Sequence, residues 1–245
     1  MIVTTETVDV PAEGRPMRIL VTAPRAEGRY PAVVVYSDIF QLTESQQRVS
    51  TRLAGYGFVV ATPEIYHRVE AAGTALPFDD AGRARGLEDA QKTAVAEFDA
   101  DCRVALDWLK AHPRASSTRL GAMGFCIGGH LAFRAAFQAD VRGTVCFYPT
   151  GVHDGKLGRD ADAGSLARVA EIKGELMLVF GTADPHVPEA ARAKLAEALT
   201  GAGTTFTTRL FAAEHAFMRD VGPRYDPEAT DRAWEEAIAF LRRTL

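Results

Sequence analysis

The amino-acid sequence predicts an α/β fold: a mostly parallel, doubly wound sheet with an N-terminal antiparallel hairpin, in one domain over residues 1–245. Three observations predict it. Short β-rich runs alternate with helix-period segments along the chain. Several of those runs are apolar enough to be buried on both faces of a parallel sheet. Gly and Pro punctuate the chain at the boundaries between segments. With 245 residues, 47% of them hydrophobic, one sizeable core can be filled.

The elements follow in order. MIVTTETVDV and PMRILVTAP flank the turn-rich PAEGR and read as the antiparallel hairpin. AVVVYS, FVVAT, RLGAMGF, GTVCFY, ELMLVFG and TFTTRLF then read as strands of the parallel sheet. Between and after them, apolar positions recur at helical spacing in ESQQRVSTRLAGYG, in one long stretch from Gly86 to His112, in LAFRAAFQA, in EAARAKLAEALTGAG and in PEATDRAWEEAIAFLRRTL. Such alternation requires right-handed crossovers that place helices on both faces.

Composition narrows the function. A net charge of −4 with no run of Lys or Arg gives no stripe for tracking phosphates, so nucleic acid is not expected as a partner. No segment reaches the ~18 apolar residues of a membrane span, and MIVTTETVDVPAEG lacks a basic region followed by an apolar one. A cytoplasmic location is the expectation. Cys102, Cys126 and Cys146 are odd in number and lack CxxC spacing. Neither a disulfide framework nor a metal site is therefore expected.

In a doubly wound sheet, reactive groups collect in the loops after the carboxyl ends of strands. Asp38, the segment Tyr66 to Arg68, Cys126, Asp184 and His215 all fall in such loops. Cys126 lies in GFCIGGH, where a strand runs straight into a helix. Gly124 and Gly128 allow strand and helix to approach closely around it. The turn aims the thiol at a helix start, whose free N–H groups and positive dipole end favour a thiolate. The N–H of Ile127 is then an oxyanion donor, and the N–H of Ile39, after the first parallel strand, is the expected second.

A GxCxG turn alone equally describes a buried structural cysteine. Activation requires a base and a carboxylate that orients it. FGTADPHVP supplies Asp184 and AAEHAFMRD supplies His215, giving nucleophile, acid and histidine in the chain order of the α/β-hydrolase triad. His130, one helical turn past Cys126, is expected to face packing. His186 sits on the loop of the acid itself, poorly placed to be oriented by it. Cys102 and Cys146 read as core residues.

With these residues in place, the chain resembles the dienelactone hydrolase family, α/β-hydrolases with a cysteine nucleophile. The likeness runs from about Arg18 to Leu241. It rests on SDIFQLTES, ATPEIYHR, GFCIGGH, GTADPHVP and HAFMR. The resemblance implies that Cys126 is the nucleophile, that Asp184 orients His215, and that Arg219 binds a substrate carboxylate. It implies a second substrate arginine in GTALPFDDAGRARG, where Arg83 and Arg85 both qualify. Asp38 stands where the family carries a glutamate that contacts the resting thiol, and it is one methylene shorter. The expected activity is cofactor-independent hydrolysis of a small carboxylate-bearing lactone or ester, by a monomer or small homo-oligomer. The alternative is a non-catalytic protein of this fold that binds a small acid or senses oxidants through Cys126.

Overall fold

A computed structural model describes residues 1–245. Eight strands form one sheet in the order β1-β2-β4-β3-β5-β6-β7-β8. β1 (Val3–Val10) and β2 (Met17–Pro24) form the expected hairpin, and β2 also runs antiparallel to β4 (Val59–Pro63). β3 (Tyr30–Tyr36), β4, β5 (Ala115–Phe125), β6 (Val141–Phe147), β7 (Glu175–Gly181) and β8 (Phe206–Phe211) are parallel. Each strand expected from the sequence is present.

Alternation along β3 shows how the sheet is covered. Val34 and Tyr36 join the apolar layer shared with α3 (Val95–Ala111), α4 (Ile127–Ala135) and α5 (Glu189–Gly201). Val33 and Val35 join the opposite layer, built with α1 (Glu44–Gly55) and α6 (Pro227–Thr244). Both faces are dry, which is why the central strands read as unbroken apolar runs.

The helix expected from Gly86 to His112 is two helices. α2 spans Asp80–Ala90, starting earlier than expected because Asp79 caps it, accepting from Gly82 N at 2.7 Å. After a turn at Gln91–Ala94, α3 begins afresh. Its first amides are satisfied both from afar and locally: Val95 N donates to Asp160 at 2.7 Å, and the N-cap Ala94 N to Glu97, three residues on, at 2.6 Å. A short 3-10 helix, Leu166–Glu171, was not expected.

Candidate active site

Cys126 caps α4 with φ 59° and ψ −120°, a conformation outside the usual regions for a residue with a side chain. Its surroundings hold it there. A Cβ on Gly124 would collide with the Gly128 carbonyl, and one on Gly128 with the Ser37 carbonyl at the end of β3. The helix start is thus wedged against two strand ends, and the partly buried thiol sits at the rim of the sheet. Ile127 is the first residue of α4, so its N–H has no partner within the helix. Ile39 N, in the loop after β3, donates no backbone hydrogen bond.

Asp184, in the loop after β7, accepts from His215 Nδ1 at 2.7 Å through Oδ2. Its Oδ1 accepts from His186 N at 2.8 Å and Val187 N at 3.3 Å. Burial pushes the Asp184 carboxyl up, but the bonds to His215 and the His186 amide hold it below its ordinary range. Burial likewise opposes charge on His215, and its interactions with Cys126 and Asp184 outweigh it, raising the imidazole to about 9. The ring is held edge-on by Tyr148 and His186, with centroids 4.9 Å and 4.7 Å away.

Asp38 does not meet the thiol. Its Oδ1 accepts from Phe40 N at 3.0 Å, and its Oδ2 from Arg219 Nη1 at 3.2 Å. Burial raises the Asp38 carboxyl above its usual value, with the Arg219 charge only partly offsetting it. The Arg219 guanidinium packs against both Phe40 and Phe78, 5.1 Å and 4.8 Å from the ring centres, which are themselves 4.8 Å apart and edge to face, and its Nε is buried without a partner.

The two candidate arginines of α2 part company. Arg85 is taken up by Glu70, with Nε 2.6 Å from one carboxylate oxygen and Nη2 on the other. Arg83 is exposed and near enough to His186 to help depress its pKa, behind the larger effects of burial and His215. α2 itself presses on the oxyanion loop, because a Cβ on Gly86 would strike the Ile39 carbonyl.

His130 is fully buried and bonds Thr150 O at 3.0 Å and Ser165 Oγ at 2.7 Å, away from the triad. Cys102 and Cys146 are buried, and burial raises both thiols, Cys102 to about 12. Sequence reasoning missed Tyr148 and Thr150, which follow β6 on the same sheet edge, and the Phe40–Phe78 pair against which Arg219 packs. The position of the β6 loop was a usable signal; no motif marks it.

A mostly parallel eight-stranded sheet with an antiparallel hairpin, carrying Cys126 on a tight turn after β5, Asp184 after β7 and His215 after β8, has the α/β-hydrolase fold. Residues 17–245 match the Dienelactone hydrolase family. The chain belongs to that family. A Saccharomyces cerevisiae protein named "Putative carboxymethylenebutenolidase" is 38% identical over 215 residues, 84% of this chain and 78% of its own. The "Carboxymethylenebutenolidase" of Pseudomonas sp. (strain P51) is 28% identical over 218 residues, covering 89% and 87%. The crystal structure of a "Putative Dienelactone Hydrolase" from Klebsiella pneumoniae superposes with TM-score 0.88 at 23% identity, over 99% of this chain and 100% of that one, a likeness of fold.

Proposed function

We propose that the protein hydrolyses a small carboxylate-bearing lactone or ester through Cys126, His215 and Asp184. The observation that carries this reading is the 2.7 Å bond from His215 Nδ1 to Asp184, made beside a cysteine fixed on a strained turn. The Cys126 thiolate attacks the carbonyl carbon, and the N–H groups of Ile39 and Ile127 receive the oxyanion. Protonated His215 gives its proton to the departing oxygen, which in a lactone stays tethered to the acyl group. Now neutral, His215 takes a proton from water, the resulting hydroxide attacks the thioester, and the thiolate leaves. Arg219, and Arg83 rather than the occupied Arg85, bind the substrate carboxylate. Family membership and the relatives named carboxymethylenebutenolidase support the substrate class.

Purified Cys126→Ala protein is expected to lose at least a hundredfold in kcat on an aryl ester and on a carboxylated enol-lactone. Unchanged turnover would remove Cys126 from the mechanism. Rapid iodoacetamide labelling of wild-type protein without turnover of either substrate would favour a thiol sensor over a hydrolase.

A further inference from the structure

With Asp38 engaged by Arg219, the hydroxyl of Thr150, 3.9 Å from Cys126 Sγ, is a partner of the sulfur in addition to His215. Thr150 is tied to the nucleophile by its backbone as well, its N–H donating to Cys126 O at 3.2 Å. Its own carbonyl accepts from His130, one helical turn beyond the thiol.

The proton positions behind this contact follow from donor chemistry. Arg134 can only donate, so Ser165 Oγ accepts from its Nη1 at 2.9 Å. The Ser165 proton then points at His130 Nε2, 2.7 Å away. A bare Nε2 leaves the proton of the neutral ring on Nδ1, which donates to Thr150 O. Burial and the Arg134 charge push His130 down to about 3, so the ring keeps this neutral form across the physiological range. Each member of the chain Arg134, Ser165, His130 and Thr150 is thereby given one orientation.

We propose that Thr150 is a further catalytic residue, whose hydroxyl donates to the Cys126 thiolate, and that His130 is a positioning residue holding Thr150 there. The inference rests on Cys126 being the nucleophile. A thiolate can only accept, so the hydroxyl hydrogen turns to sulfur when the thiol ionises. The bond favours the ionised form and fixes the sulfur lone pairs toward the bound carbonyl. When sulfur becomes the acyl thioester, its charge is gone and the bond weakens; it returns as the thiolate is expelled in deacylation. The effect therefore belongs to kcat rather than to substrate binding.

The test compares Thr150→Val, which keeps the shape and removes the hydroxyl, with Thr150→Ser, which keeps the hydroxyl. For Thr150→Val, the pH midpoint of iodoacetamide labelling is expected to rise by about one unit and kcat to fall about tenfold, with KM little changed. Thr150→Ser is expected to restore most of both. His130→Asn, which can reproduce the Nδ1 donor, is expected to lie nearer wild type in midpoint than His130→Ala. A Thr150→Val protein with wild-type midpoint and kcat would overturn the role of Thr150, and a His130→Ala protein with a wild-type midpoint would overturn that of His130. In either case an inactive Cys126→Ala protein leaves the nucleophile in place, whereas an active one removes the nucleophile assignment itself.

Discussion

His215 carries its charge at neutral pH because its interactions with Cys126 and Asp184 outweigh its burial. Its folded pKa of about 9 lies above the ordinary value of 6.5, so this contribution to stability is complete below about pH 6.5 and is lost as pH rises through 9. Asp184→Asn removes the carboxylate partner. We expect the His215 titration, followed by NMR, to move down and kcat to fall at least a hundredfold, as the imidazole loses both charge and orientation. At Arg219 the expected signature differs. Arg219→Met should raise KM at least tenfold for a carboxylated ester while leaving the KM for its uncharged methyl analogue within about twofold. Equal effects on both substrates would show that Arg219 does not read the anion. The grouping of Cys126, Asp184 and His215 was legible at this scale because they stand in short motifs in a fixed chain order. The choice between Arg83 and Arg85 was not. Two residues apart on a helix, they point to different sides, and only the fold brings Glu70 to Arg85.

Among the elements, α2 shows where local sequence stops being informative. Nothing in Gln91-Lys92-Thr93-Ala94 breaks a helix by itself, since it holds neither Gly nor Pro. The restart at Val95 depends on Asp160, contributed from far along the chain. A helical period read through residues 86–112 cannot contain that information. The strands were easier, because burial on both faces writes itself into composition. The packing of α2 onto the oxyanion loop leads to a prediction. In Gly86→Ala the new methyl must displace the Ile39 carbonyl, and with it the Ile39 N–H. We expect at least a tenfold loss in kcat with a smaller change in KM, and a loss of stability of about 1–3 kcal/mol, measurable by urea denaturation. An unaltered kcat would mean that the Ile39 amide does not serve the transition state.

For the whole molecule, the doubly wound architecture and its hairpin were legible, and so was the edge on which chemistry would gather. The interior polar chain from Arg134 to Thr150 was not, because its members come from α4, the β6 loop and the start of the 3-10 segment, with no shared motif. That chain leaves a mark on global stability. His130 is held at about 3 when folded, against 6.5 ordinarily, so between these values the unfolded chain binds a proton that the folded one refuses. Stability from this source is greatest above pH 6.5 and declines on acidification, by up to about 1.4 kcal/mol per pH unit. His130→Asn cannot titrate. Its stability deficit relative to wild type, measured by urea denaturation, should therefore narrow from pH 7 to pH 4; a constant deficit would show that His130 titrates normally.

Arg219, backed by the edge-to-face pair Phe40 and Phe78, and Cys126 on its turn set two fixed points, a guanidinium lodged against two rings and a sulfur pinned where the backbone cannot relax. On the proposed mechanism these act as the jaws of a calliper. A flexible lysine could follow a substrate carboxylate over several ångströms, whereas an arginine packed on two rings and bonded to Asp38 has less freedom to do so. Selection then falls on the number of bonds between carboxylate and scissile carbonyl. In a homologous series of ω-carboxylated esters, kcat/KM should peak sharply at one chain length, and replacing Phe78 with alanine should broaden that peak before it lowers it.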